Sequence, residues 1–179
     1  MLELGIDAAN IVAWFPHDAE TPYILVRVDP ENAGHWAEAL ANAVRRCYLT
    51  DELLQSRDTE LQATMGGTSE SRQKQIISSR LPDPGATMAG DFGEIIVYLY
   101  QSSKAHPRVA FGPKKWRLKQ DRTKPAPYSD VVHFVLPNWP TPTDQDAILC
   151  AEVKTKSTNG AFSPIEDAIA DCAKDRTSR

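Results

Sequence analysis

Two apolar, β-branched runs joined by a proline-rich loop constrain this chain more than any other feature. Ser129-Asp-Val-Val-His-Phe-Val-Leu136 and Ala147-Ile-Leu-Cys-Ala-Glu-Val-Lys154 flank Pro137-Asn-Trp-Pro-Thr-Pro-Thr-Asp144. Runs of this length and composition form strands, and so short a connection makes them hairpin neighbours. Side chains alternate along a strand, so Glu152 and Lys154 emerge together while Val153 turns into the core. By the same parity Asp130, Val132 and Phe134 share one face, and Val131, His133 and Val135 the other. Asp130 therefore falls beside Glu152, and His133 points away from both, as a core or surface histidine. Charged groups at the end of an apolar strand are costly to bury without partners. Two carboxylates held close repel, and tolerate it best with a cation between them. Hard oxygen donors with room for water suit Mg²⁺ or Mn²⁺ rather than zinc. An ordinary reading stands beside each of these: an exposed cross-strand pair for Glu152 and Lys154, a turn cap for Asp130.

The flanking segments complete a mixed α/β unit. Glu94-Ile-Ile-Val-Tyr-Leu-Tyr100 is apolar, and Asp91 as an N-cap with Glu94 in the first turn predicts a helix. An acid in that turn is also favoured by the helix dipole without any function. Arg108–Phe111 and Trp116–Lys119 read as strands around a Gly112-Pro113 turn. Ser163-Pro-Ile-Glu166 opens a final helix, with Ser as cap and Pro at the first helical position. Upstream, Tyr23–Val28 predicts a strand and His35–Leu49 an amphipathic helix. Residues 51–89 are polar and read as a connector with at most one helix, around 69–79. The expected division is a small N-terminal α/β extension with connector, 1–89, and a core, 90–179.

Charge is distributed unevenly. Between Gln101 and Ala126 lie Lys104, Arg108, Lys114, Lys115, Arg117, Lys119, Arg122 and Lys124 against Asp121 alone, a local +7 in a chain of net charge −4. Such asymmetry reads as a basic face for phosphates on an acidic body, or as a solvated basic loop. No run of about 18 apolar residues is present, so no membrane span is expected. The N-terminus lacks the basic start and apolar stretch of a signal peptide. Three cysteines without a CxxC pair argue against a disulfide framework or a structural zinc site and fit a reducing cytoplasm.

Asp130, followed twenty-two residues later by Glu152-x-Lys154, resembles the PD-(D/E)xK phosphodiesterase superfamily, with Glu94 at the place of its helical glutamate. Ser129 stands where the motif's name has Pro. More narrowly, Gly93-Glu94, Ser129-Asp130-x-x-His133 and Glu152-Val-Lys-Thr155 before a helix rich in Ala, Ile and Asp are similar to the HamA-like nuclease subunit of the Hachiman anti-phage defence system. The resemblance implies a restriction-endonuclease-like core, a mixed central sheet flanked by helices, continuing into at least one strand beyond Arg179. It implies a Mg²⁺- or Mn²⁺-dependent endonuclease with Glu94, Asp130, Glu152 and Lys154 as catalytic residues. Glu94, Asp130, Glu152 and the Val153 carbonyl would be the metal ligands. Lys114, Lys115, Arg117, Lys119, Arg122 and Lys124 would meet the DNA backbone, and a helicase would be the partner. The rival expectations are a catalytically silent nuclease-fold scaffold or nucleic-acid-binding subunit, and a metal-dependent hydrolase of another phosphoester.

Overall fold

The structure, a computed structural model, describes residues 1–15, 17–19, 24–26, 28, 30–127, 129–158, 160–161 and 163–177. In chain order the elements are α1 (Ala8–Trp14), β1 (His17–Ala19), β2 (Ile24–Val26), α2 (Pro30–Ala33), α3 (Ala37–Tyr48), α4 (Asp51–Gln62), α5 (Ser69–Ser78), α6 (Ala86–Ala105), β3 (Ala110–Phe111), β4 (Val131–Val135), β5 (Ala147–Ala151) and α7 (Pro164–Thr177). Short 3₁₀ turns occupy Leu2–Leu4 and Lys115–Leu118.

The proline-rich hairpin forms as its sequence dictates. β4 and β5 pair antiparallel, from Val131 opposite Ala151 to Val135 opposite Ala147. β3 adds to the other side of β4, so the sheet runs β3-β4-β5 and is antiparallel throughout. The mixed central sheet that was expected is not seen among the described residues. The order helix, three strands, helix is nevertheless that of α6, β3, β4, β5 and α7.

α6 organises everything else. Its inward residues Ile95, Tyr98, Leu99 and Ser102 are all buried, a spacing of three and four that lays one stripe along the sheet. The helix begins at Ala86, so Asp91 is not its cap but a buried residue within it. His133 is fully buried on the face of β4 that meets α6. Its ring lies 4.2 Å from that of Tyr98, with Nε2 2.8 Å from Ser102 Oγ and Nδ1 3.0 Å from Gln101 Oε1. Both ring nitrogens are thus satisfied, and burial, followed by the charge of Lys114, pushes the imidazole pKa down to about 4.

The N-terminal segments share this core. Leu4, Ile11, Phe15, Leu40, Cys47 and Leu49 join Ile95, Leu99 and Val131 in one apolar cluster. Phe15 of the chain just after α1 meets Tyr100 edge-on at 6.1 Å, and Trp14 stacks on Trp36 at 5.1 Å. The boundary expected between residues 89 and 90 falls inside α6.

Two local expectations are corrected. Residues 51–89 hold α4 as well as α5 and the start of α6. Thr50 caps α4 by accepting the Leu53 N–H at 3.2 Å, with Asp51 and Glu52 in the first turn. Such caps stabilise a helix whose apolar stripe is thin. Trp116–Lys119 is not a strand: the 3₁₀ turn over Lys115–Leu118 directs both Lys115 and Trp116 inward. Of the Tyr23–Val28 run, Ile24–Val26 form β2 against β1, while Tyr23 and Arg27 lie outside the described residues.

Candidate active site

Three segments converge at one end of the sheet: the middle of α6, the 3₁₀ turn, and the chain at the adjoining ends of β4 and β5. Gly93 sets the distance between the first and the last. A Cβ there would lie 3.2 Å from Thr155 Cβ and overlap the Thr155 hydroxyl, so only glycine admits so close an approach. That brings Glu94, the next residue, towards the Glu152–Lys154 segment.

Glu94 is nearly enclosed, with 13% of its side chain exposed. Trp116 Nε1 donates to its Oε2 at 3.1 Å, and Lys115 Nζ stands 3.1 Å from the same oxygen. Burial raises the Glu94 pKa to about 7, against the lowering influence of Lys115, with Asp130 and Asp91 adding to the rise. Lys115, itself buried, also donates to the Ser129 carbonyl at 3.0 Å and lies 4.0 Å from Asp130 Oδ1. Asp130 uses its other oxygen, Oδ2, to accept the Val153 N–H at 2.7 Å. It therefore ties the start of β4 to the chain just beyond β5.

Glu152 and Lys154 form a second group. Lys154 Nζ is 2.7 Å from Glu152 Oε1 and 2.8 Å from Asp171 Oδ2 on α7. The two carboxylates raise the Lys154 pKa, Asp171 most, and Lys154 with Lys174 holds Asp171 down to about 2. The Val153 side chain packs against the main core, as strand parity requires.

Glu94 and Asp130 thus face one shared cation, the Lys115 ammonium, whereas Glu152 is turned to Lys154. Among the described residues no three His, Cys, Asp or Glu side chains converge on one point. Hard carboxylate oxygens that already share a cation fit a divalent ion in kind.

Asp91, Trp116 and Asp171 belong to this neighbourhood and were not singled out from the sequence. Asp91 is buried one helical turn before Glu94, accepts the Tyr48 hydroxyl at 2.7 Å and is ion-paired with the buried Lys119. Its i to i+3 spacing from Glu94 was the available signal.

The basic run does not form the open phosphate face expected of it. Lys114 and Arg117 pair with Glu3, Lys115 with Glu94, Lys119 with Asp91 and Arg122 with Asp83. Lys124, with 76% of its side chain exposed beside Asp121, is the member of the six that faces solvent most. Counting charges along the chain ignores the acids that fold onto them from the N-terminus and α6.

No curated protein and no solved structure matches this chain. The family model for HamA matches residues 12–179, from α1 through the helix that carries Asp171, and so takes in every residue of the site just described. The chain belongs to the HamA family.

Proposed function

We propose that this chain is the nuclease of a Hachiman anti-phage system, a Mg²⁺- or Mn²⁺-dependent endonuclease of the PD-(D/E)xK type that cleaves DNA together with a helicase. Membership of the HamA family supports the defence role. The observation that carries the chemistry is the pair Glu94 and Asp130 around one cation position, with Asp130 tied to the Val153 backbone. Glu94, Asp130, Glu152 and the Val153 carbonyl are the proposed ligands. The bound ion would polarise a phosphodiester oxygen and lower the pKa of an attacking water.

The chain's own groups do the rest. Asp130, fixed by the Val153 N–H, keeps its carboxylate at the sheet end. Trp116 orients Glu94 by donating to one oxygen. Lys154 stays protonated between Glu152 and Asp171 and presents a positive charge where charge develops on the phosphate. Lys124 is the basic residue best exposed for a DNA backbone, a sequence-independent contact.

The test is cleavage of plasmid and linear DNA with Mg²⁺, Mn²⁺ or EDTA, alone and with the helicase. Glu152→Ala and Lys154→Ala are expected to lose at least a hundredfold in rate. Cutting that survives EDTA or both substitutions would refute the assignment. A second reading, a nuclease-fold scaffold that binds nucleic acid without cutting it, draws on the separation of Glu152 from the other two acids. DNA binding without cleavage in the presence of metal and helicase would favour it.

A further inference from the structure

We infer that Lys115 is a built-in stand-in for the metal: its ammonium holds Glu94 and Asp130 together in the unloaded site and is displaced when a divalent ion binds. The inference rests on the metal-dependent reading above and adds a residue that competes for the same oxygens.

Lys115 is 4% exposed, an unusual place for an ammonium without close polar partners. It points at Glu94 Oε2 at 3.1 Å and the Ser129 carbonyl at 3.0 Å, and Asp130 Oδ1 stands at ion-pair distance, 4.0 Å. The 3₁₀ turn delivers this lysine and Trp116 to the same Glu94 oxygen, so the cation is placed by backbone geometry and not by chance reach. Without it, the nearly enclosed Glu94 and the part-buried Asp130 would lose the cation they share. An ion bound directly by those carboxylates would sit within a few ångströms of the ammonium, and the two positive charges repel. A pocket of about 310 Å³, lined by Lys115 together with Leu118, Ser129, Asp130, Val132 and Phe134, adjoins the site. The flexible four-carbon stem can carry the ammonium into that space. Lys115 is thereby reassigned from a DNA contact to a gate on metal loading.

The experiment measures Mn²⁺ affinity of the full chain by calorimetry, and Tb³⁺ emission sensitised by Trp116. Lys115→Met is expected to bind Mn²⁺ about tenfold more tightly than the native chain, an effect of the size typical for coupled sites. Glu94→Gln is expected to weaken binding in both backgrounds, and Lys74→Met, at an exposed position on α5, to leave it unchanged. Equal or weaker Mn²⁺ binding by Lys115→Met, with native binding intact, overturns the gate and leaves the metal centre standing. No Mn²⁺ binding by either chain overturns both. Should Lys115→Met fail to fold, acetylation of the native chain by an N-hydroxysuccinimide ester, read by mass spectrometry, decides. Lys115 is then expected to react several-fold faster with Mn²⁺ than with EDTA, and an unchanged rate overturns the gate.

Discussion

Gly93→Ala isolates the contact that brings Glu94 to the segment beyond β5 that carries Glu152 and Lys154. In an open helical position the exchange stabilises by roughly 0.5–1 kcal/mol, because alanine loses less backbone freedom on folding. Here the added methyl would meet Thr155 Cβ at 3.2 Å and Cγ2 at 3.5 Å, besides overlapping the hydroxyl. Rotating Thr155 moves its hydroxyl and methyl but not its Cβ, and carbon pairs prefer about 3.5–4.0 Å. Helix and strand must then separate by several tenths of an ångström, at an overpacking cost of about 1–3 kcal/mol. After the helical gain, the net loss is about 1–2 kcal/mol. Urea unfolding of Gly93→Ala measures it, and Thr155→Gly completes a double-mutant cycle. In that background the Cβ, hydroxyl and methyl are all gone, so the same glycine substitution is expected to show the helical gain alone, about 0.5–1 kcal/mol. Equal stability of Gly93→Ala and the native chain, or an identical loss in both backgrounds, would refute the close approach. Gly90→Ala, with nothing within 4 Å of its Cβ position, is the matched control and is expected to stabilise.

Gly112→Ala would drive a methyl into the Val132 carbonyl oxygen, which no rotamer can move, so a loss of about 2–4 kcal/mol is expected by urea unfolding. His133 gives a pH signature. Its folded pKa, about 4, lies below the ordinary 6.5, so the unfolded chain binds more protons between those values. Its contribution, up to about 3 kcal/mol, is complete above pH 6.5 and lost as pH falls towards 4. Native stability should therefore drop more steeply than that of His133→Gln over this window, and parallel curves would contradict the burial. Asp171→Asn removes the strongest support of the Lys154 charge, so the Lys154 ammonium should titrate at lower pH than in the native chain by NMR, and an unchanged titration would contradict the pairing.

How much was legible follows from the range of each interaction. The β4–β5 hairpin was readable because alternation, turn residues and strand length are local, and the same parity turned Val153 to the inner face and His133 away from Asp130, leaving core or surface open for a ring that is in fact fully buried. α4 was missed because its apolar stripe is thin and its stability rests on the Thr50 cap and the acids beside it. The Lys115–Leu118 turn imitates a strand, since polar and apolar residues alternate in both, and only packing against Tyr98 and Glu94 separates them. Asp91 was misread as a cap because a helix seven residues long and one of twenty look alike from the Glu94 end.

The six basic residues mark the deeper limit. A sequence states how many charges a segment carries, but their partners Glu3, Asp83, Asp91 and Glu94 lie between 21 and 114 positions away. Exposed ion pairs contribute little to folding, whereas the Lys115 and Lys119 side chains are enclosed, 5% and 3% exposed, and their loss would leave Glu94 and Asp91 without those partners. Two lysines drawn into a cluster of acids are best explained by what the acids require. Glu94 and Asp130 share the Lys115 ammonium, and Asp91 behind Glu94 pairs separately with Lys119. Lys115 and Lys119 are therefore the electrostatic complement of the acidic site, and their inward turn follows from the same carboxylates that make the site a candidate metal centre.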